Sequence, residues 1–141
     1  MKKQNQLLKF AAVIIGGILG YAIVSSMYEA GRNKSHLDFA LTQIANDMNQ
    51  KLPQMVDEQT RLDKVTAGSG KLTYFLSLSD SVKSNLDLAD FESKLQPKLI
   101  QNYKTNSTMD TLREQKVILE YEYKDKNGEI VFETSISPKD F

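Results

Sequence analysis

The chain contains no cysteine and only one histidine, and these two features exclude much of the chemistry that a small protein can carry. Without cysteine there are no disulfides, no thiol catalysis, no iron–sulfur cluster and no cysteine-based zinc site. A transition-metal site usually needs at least two imidazole or thiolate ligands, which His36 alone does not supply. We therefore predict no metal, no cofactor and a fold that is stabilised by packing.

An excess of charge of one sign is also lacking. The 18 basic and 18 acidic residues give a formal net charge of zero. From residue 33 onward, 14 basic and 17 acidic residues give a net charge of −3. Nucleic acids and anionic membrane surfaces are usually bound through a clustered basic patch, and no such run occurs in this segment. We therefore predict that the chain binds no nucleic acid.

The one long stretch without charge lies near the N-terminus, from Phe10 to Tyr28. As a helix it would span about 28 Å, close to the thickness of a bilayer's hydrocarbon core. Three lysines precede it, and by the positive-inside rule they place the N-terminus in the cytoplasm. We therefore predict a cytoplasmic start and a transmembrane helix over residues 1–28. The predicted location is the inner membrane, single-pass, with the C-terminal domain in the periplasm.

The same segment also fits a cleaved signal peptide, with a basic start, an apolar middle and small residues that would allow a cut after Ser26. Its apolar part is longer than the about 7–15 residues usual for such a signal, which favours the retained helix. Ala12, Gly16 and Gly20 lie four residues apart, on one stripe of that helix. Small residues at this spacing let transmembrane helices pack closely, so we also predict a homodimer or a partner helix there.

A polar linker at residues 29–34 leads to a candidate soluble domain at residues 35–141. Within it, two segments carry apolar residues every three or four positions, as on one face of a helix. The first segment ends before Pro53. The second contains Pro97, where we expect a kink or a break because proline removes an internal hydrogen bond.

Two other segments alternate apolar and polar residues, which is the pattern of a strand with one buried face. The first reverses direction at residues 67–70, which are rich in glycine, and the second at Asn127-Gly128. Each segment is therefore predicted to be a hairpin. The order of helix, hairpin, helix and hairpin predicts an α+β fold, with a four-stranded antiparallel sheet and helices on one face.

The densest cluster of polar residues lies between the first helix and the first hairpin. Asp57, Glu58, Arg61 and Asp63 could hold a ligand or partner as an arginine–carboxylate clamp, or act as acid and base. Surface ion pairs and turn hydrogen bonds are the simpler interpretation. No nucleophile with a neighbouring base accompanies them, so we predict no catalytic residues. Asp57, Arg61 and Asp63 are the candidate binding residues.

A second candidate site lies on the predicted strands. Phe75 interrupts the polar face of its strand, and Ile118 and Val131 fall on the same predicted side of the sheet. If nothing covers that side, the three residues form an apolar patch among glutamates, which is suited to docking of a partner. Core packing explains most of the other aromatic residues of the sheet.

Three stretches resemble a set of small uncharacterised proteobacterial proteins that carry an LPxMVDxxTRLD stretch. They are residues 52–63 (LPQMVDEQTRLD), Thr73-Tyr74 and residues 121–128 (YEYKDKNG). These proteins share an apolar N-terminal segment, a tyrosine-rich strand and a final turn of the Asp-x-Asn/Asp-Gly type. The resemblance covers residues 40–131 and implies export and one domain, but no activity. Related sequences often carry a cysteine near the end of the second helix, where this chain has residues 102–105 (NYKT).

Together these observations predict a non-enzymatic accessory or assembly module, anchored in the membrane, that binds another envelope protein. The alternative is an exported domain, freed from its signal peptide, that binds a small ligand or peptide between sheet and helices. The accessory role needs an exposed docking surface, whereas the ligand-binding role needs a deep apolar pocket beneath the second helix.

Overall fold

The computed structural model describes residues 34–141. The elements in chain order are helix α1 (Lys34–Asn49), strands β1 (Gln54–Met55), β2 (Thr60–Gly68) and β3 (Lys71–Leu78), helices α2 (Leu88–Thr105) and α3 (Asp110–Glu114), and strands β4 (Ile118–Lys124) and β5 (Ile130–Ile136). Short 3-10 helices lie at Lys83–Asn85, Ser107–Met109 and Pro138–Asp140. The class is α+β, as predicted.

The predicted transmembrane helix at residues 1–28, its stripe of Ala12, Gly16 and Gly20, and residues 29–33 of the linker lie outside the described residues. Among residues 34–141, no helix is both long enough and apolar enough to cross a bilayer. The prediction of a fold that begins with a transmembrane helix is therefore wrong for the part of the chain that the structure describes.

The five strands form one mixed sheet in the order β1-β2-β3-β4-β5. The pairs β1–β2, β2–β3 and β4–β5 are antiparallel, whereas β3 and β4 are parallel. The predicted four-stranded antiparallel sheet is therefore wrong in both strand number and direction. The parallel pair forms because α2 and α3 connect the end of β3 to the start of β4, so that Ile118 lies opposite Lys71.

The hydrophobic core lies between the helices and one face of the sheet. Alternate residues of β3 and β4 are buried there, together with one face of α2. The buried residues of these three elements are Leu72, Tyr74, Leu76, Leu78, Leu119, Tyr121, Tyr123, Phe91, Leu95, Leu99 and Tyr103. The rings of Tyr74 and Tyr121 stack with their centroids 5.1 Å apart. The opposite face of the sheet carries half-buried and exposed side chains, and no helix of residues 34–141 lies over it.

Helix α2 is continuous through Pro97, where the sequence predicts a kink or a break. Proline lacks the N–H group that would bond to the carbonyl of Ser93, four residues earlier. Both residues are exposed, so solvent can hydrogen-bond to that carbonyl and the helix continues.

The predicted turn at Asn127-Gly128, between β4 and β5, is confirmed, and Asp125 holds it. Asp125 Oδ2 accepts a hydrogen bond from the N–H of Lys83 at 2.8 Å. Asp125 Oδ1 accepts from the N–H groups of Asn127 and Glu129 at 2.8 and 2.9 Å. The Lys83 bond is the main cause that lowers the pKa of Asp125, supported by the two turn N–H groups and opposed by burial. Gly128 supplies the positive φ of 84° that the turn needs.

The outer edge of β2 is covered in two ways. Strand β1 pairs with Arg61 and Leu62. Further along, the side-chain amide of Asn49 donates to the carbonyl of Val65 at 2.8 Å and accepts from its N–H at 2.9 Å. The amide therefore takes the place of a neighbouring strand at an edge that would otherwise present free backbone groups.

We expect Asn49→Asp to lower the free energy of unfolding by about 1–3 kcal/mol. The carboxylate can still accept from the Val65 N–H, but it cannot donate to the Val65 carbonyl. Urea denaturation of the full chain measures the change. Asn46→Asp, the same substitution at an exposed position of α1, should cost less than about 0.5 kcal/mol. Equal losses for the two variants would contradict the role of Asn49.

Candidate functional site

The side of the sheet that turns away from the helices, here called the open face, is built mainly of polar and charged residues. Its members come from four strands and are half-buried or exposed. They are Arg61, Asp63, Lys64 and Thr66 of β2, Lys71, Thr73, Phe75 and Ser77 of β3, Ile118, Glu120, Glu122 and Lys124 of β4, and Ile130, Glu133 and Ser135 of β5. The docking patch was predicted as apolar residues among glutamates, and this face carries lysines, an arginine and hydroxyl side chains as well.

The polar segment before β2 does not form a single site. Asp57 Oδ1 accepts hydrogen bonds from the N–H groups of Gln59 and Thr60 at 2.8 and 2.7 Å, so it organises the turn between β1 and β2. Its Oδ2 is buried and has no hydrogen-bond partner among the described residues. Arg61 and Asp63 lie instead on the open face. The three candidate binding residues are therefore split between the turn before β2 and the open face.

Arg61 and Asp63 meet at a β-bulge. The bulge lies between Leu62 and Lys64 and leaves Asp63 without a partner in the pairing with β3. The Asp63 carboxylate accepts from Arg61 Nε at 2.5 Å and from the hydroxyl of Ser77. Both charged groups are substantially exposed, so the pair contributes little to stability. It does hold the guanidinium in a defined place on the open face.

Phe75 and Ile118 lie on the open face, as the alternation predicts. Phe75 is half-buried at the centre of β3, between Lys64 and Glu122 of the neighbouring strands. The ammonium group of Lys64 lies 4.5 Å from the centroid of its ring, a cation–π contact. Ile118 lies beside Lys71. Each apolar side chain is therefore flanked by charge.

The third predicted member of the patch, Val131, lies in the core with 7% of its surface exposed. Lys124 pairs with Ile130 whereas Tyr123 pairs with Phe132, so Val131 is the extra residue of a β-bulge and turns inward beside Phe132. Ile130 lies on the open face instead and is 42% exposed. Strict alternation placed Val131 on the wrong side of the sheet, because the extra residue of the bulge shifts the alternation of side chains by one position.

Glu120 was not singled out from the sequence, yet it joins two strands of the open face. It accepts hydrogen bonds from Lys71 Nζ at 2.8 Å and from Thr73 Oγ1 at 3.0 Å. The hydrogen bond from Lys71 is the main cause that lowers the pKa of Glu120; partial burial opposes the effect and Thr73 supports it. The alternation of Glu120 and Glu122 with buried residues marked their side of the strand, but only the parallel pairing brings Lys71 and Thr73 to Glu120.

Glu122 and Glu133 lie directly opposite each other on β4 and β5. Glu122 lies 3.3 Å from the ammonium group of Lys124, whereas no ion pair of Glu133 occurs within residues 34–141. Like charges directly opposite on paired strands repel each other. A recess of about 350 Å³ adjoins them and is lined by Thr73, Glu120, Tyr121, Glu122, Glu133, Thr134 and Ser135. The β5 side of the open face is therefore acidic and incompletely neutralised.

We expect Glu133→Lys to raise the free energy of unfolding by about 0.2–1 kcal/mol, because it replaces a repulsive cross-strand pair by an attractive one. Urea denaturation at low salt measures the gain. The gain should shrink in about 1 M salt, where exposed charges are screened over roughly 3 Å. Glu92→Lys, on the exposed side of α2, is the charge-matched control. A loss of stability for Glu133→Lys would show that the two glutamates do not repel.

The space between α2 and the sheet is filled. Phe91, Leu95, Leu99 and Tyr103 point into it and are at most 2% exposed. A hollow of about 570 Å³ lies on the outer side of α2 instead, and its lining residues are Ala89, Glu92, Ser93, Gln96, Pro97 and Ile100. The packing beneath α2 therefore does not favour the deep apolar ligand pocket that the alternative function needs.

Comparison with protein-family models finds one match for this chain. A family model for a domain of unknown function (DUF8479) matches residues 36–132. The chain belongs to the DUF8479 family. No curated protein matches the sequence.

Three solved structures resemble this DUF8479 chain. A Pseudomonas aeruginosa protein that is predicted to be secreted matches with a TM-score of 0.63 at 17% identity, over 75% of this chain and 95% of its own. The pilotin EpsS of the Vibrio vulnificus type II secretion system matches with a TM-score of 0.62 at 8% identity, over 75% and 92%. The Vibrio cholerae type II secretion pilotin AspS matches with a TM-score of 0.57 at 10% identity, over 82% and 99%. At these identities the likeness shows the fold alone.

The described residues also bear on the predicted location. They contain no helix that could cross a bilayer. The prediction of a single-pass inner-membrane protein is therefore wrong for residues 34–141. The predicted homodimer or partner contact through a transmembrane helix has no support in these residues either.

Proposed function

We propose that this domain is a non-enzymatic accessory module of the cell envelope that binds another protein through the open face of its sheet. The observation that carries the proposal is a sheet face over which no helix of residues 34–141 lies. On this face Glu122 and Glu133 oppose each other, and Glu133 has no ion pair among the described residues. A partner that places a cationic side chain beside the two glutamates offsets their repulsion.

The arrangement of side chains supports binding rather than catalysis. The Asp63 carboxylate accepts hydrogen bonds from Arg61 and Ser77. The Glu120 carboxylate accepts hydrogen bonds from Lys71 and Thr73. Both carboxylates therefore hold neighbouring side chains in place. Aromatic residues and arginine are enriched at protein interfaces, and the fixed charges around Phe75 favour a partner of complementary charge.

The similarity in fold to two pilotins supports a role within a larger assembly, since both are named as parts of type II secretion systems. The resemblance to proteobacterial proteins with an LPxMVDxxTRLD stretch is a further part of the proposal. In this chain that stretch forms β1, the turn held by Asp57 and the bulge with Arg61 and Asp63. We propose that it serves to build the β2 side of the open face.

Site-specific photo-cross-linking in cells that express the full chain tests this function. A photoreactive residue at Thr66 or Thr73, on the open face, should capture one and the same envelope protein. A photoreactive residue at Ser93 or Gln96, on the outer side of α2, should not capture it. Capture from α2 positions, or no capture from Thr66 and Thr73 in a folded protein, would overturn the proposal.

A further inference from the structure

The two edges of the sheet differ in whether their outer backbone groups are covered. The outer edge of β2 is covered by β1 and by the side-chain amide of Asn49. Strand β5 is the last strand at the other edge, and no hydrogen bond connects its outer side to another described residue. Every second residue of such a strand turns its N–H and C=O groups outward, where a further strand can pair with them.

The regular part of β5 is long enough to accept a strand. The bulge at Val131 interrupts the pairing near its start, and residues 132–136 then pair with β4 in an unbroken register. At about 3.4 Å per residue these five residues span roughly 17 Å, a common length for a strand in a globular protein.

The side chains of β5 indicate what an added strand should carry. Glu133 and Ser135 are exposed on the open face, whereas Phe132 and Ile136 face the core. A strand beside β5 would place alternate side chains next to Glu133, which lies opposite Glu122 and lacks an ion pair among the described residues. A Lys or Arg at that position would offset the repulsion between the two glutamates.

A second copy of the chain is a poor occupant of this edge. Glu133 is the central residue of Ile130–Ile136. Symmetric antiparallel pairing of two β5 strands about their centres would place one Glu133 opposite the other, adding two like charges to a surface that already contains an opposed pair. Charged residues on edge strands commonly prevent this kind of self-association.

We propose that β5 accepts an extended segment of the partner protein as a sixth strand, with a Lys or Arg of that segment beside Glu133. An apolar side chain of the segment lies against Ile130, which is 42% exposed. This inference rests on the proposed function and names the chemistry of its partner. Main-chain hydrogen bonds to β5 supply affinity, and the basic residue supplies specificity.

The test uses the full chain with a photoreactive residue at Ser135, in cells. Mass spectrometry of the cross-link should identify a partner segment that carries Lys or Arg at an alternate position. Glu133→Lys should lower the cross-linking yield about tenfold, a change of about 1.4 kcal/mol, whereas Glu92→Lys should leave it unchanged. Replacing the partner's basic residue by Glu should restore the yield with Glu133→Lys.

Several outcomes would overturn the strand proposal: a cross-linked segment without basic residues, a second copy of this chain as the product, or a yield that is insensitive to Glu133→Lys. Because Glu133→Lys is expected to stabilise the domain, a loss of cross-linking cannot be assigned to unfolding. Cross-links from Thr66 or Thr73 with none from Ser135 would overturn strand addition and leave the proposed function standing. Absence of cross-links at all three positions would overturn both.

Discussion

Raising the pH above about 10 should unfold this domain in one cooperative transition. The cause lies in a set of tyrosines between the sheet and α2. Tyr74, Tyr103, Tyr121 and Tyr123 are at most 1% exposed. Burial raises the pKa of each of these hydroxyls above the ordinary tyrosine value, because a phenolate would lose its hydration in the core. The domain therefore cannot ionise them while it stays folded.

The sign of the effect follows from proton binding. In the unfolded chain these tyrosines titrate near pH 10, whereas in the folded domain they keep their protons to higher pH. Their contribution to stability is fully present below about pH 10 and is lost as the pH rises toward the folded pKa values. Each tyrosine lowers the free energy of unfolding by about 1.4 kcal/mol per pH unit in that interval. Four of them together remove roughly 5–6 kcal/mol per pH unit, comparable with the whole stability of a small domain.

Tyrosinate absorbance and far-ultraviolet circular dichroism, recorded along the same alkaline titration, measure this effect. Ionisation of the buried tyrosines and loss of secondary structure should coincide. Tyr121→Phe removes one ionisable group whose hydroxyl has no hydrogen-bond partner in the described structure, so the transition should move to higher pH and become less steep. Full ionisation near pH 10 with an unchanged dichroism spectrum would contradict the prediction.

Tyr103→Phe is the informative contrast to that variant. The hydroxyl of Tyr103 donates to the carbonyl of Val117 at 2.7 Å. Its removal leaves a buried carbonyl without this donor, which should lower the free energy of unfolding at neutral pH by about 1–2 kcal/mol. Tyr121→Phe removes a hydroxyl without a partner and should be neutral or stabilising at neutral pH. Urea denaturation of the two variants distinguishes the two kinds of buried tyrosine.

Features of the fold that depend on local pattern could be predicted from the sequence. The helical periodicity before Pro53 corresponds to α1, in which Leu41, Ile44 and Met48 are buried. The alternation in β3 and β4 gave the correct inward residues, including Tyr74 and Tyr121. In these cases one residue spacing decides which side chains meet the core, and nothing distant has to be known.

The features that were missed depend on contacts between distant segments. Both directions of pairing are compatible with the sequence of β3 and β4, and the parallel choice depends on the path of α2 and α3. The short β1 has two exposed residues and no periodicity. The candidate site was predicted in part for the same reason. Arg61, Phe75 and Ile118 lie on the open face, but bulges are invisible to alternation, so the place of Val131 was wrong.

The acidic pair at the β5 edge illustrates the same limit. Glu122 stands in an alternating strand, and its exposure could be predicted from that pattern. That Glu133 lies opposite it depends on the bulge at Val131, which shifts the register of the whole remaining strand. A site formed by register between strands is therefore recognisable only once the pairing is known.

Phe91→Ala should lower the free energy of unfolding by about 3–5 kcal/mol, because the ring fills the junction between α2 and the β4–β5 hairpin. Phe91 is 2% exposed. Its centroid lies 6.0 Å from that of Tyr123 and 6.1 Å from that of Phe132, with both pairs edge to face. The alanine side chain leaves a cavity against both strands, and these lose packing on their core side.

Urea denaturation of the full chain measures the loss, and amide hydrogen exchange locates it. Exchange should accelerate first in β5, since Phe132 loses its contact with α2, and less in β2, which packs on α1. Glu92→Ala, at the next and exposed position of α2, should change stability by less than about 0.5 kcal/mol. A loss below about 1 kcal/mol for Phe91→Ala would show that α2 is not what holds β5 in the sheet. In that case the edge on which a partner strand is proposed to pair would have to be held by β4 alone.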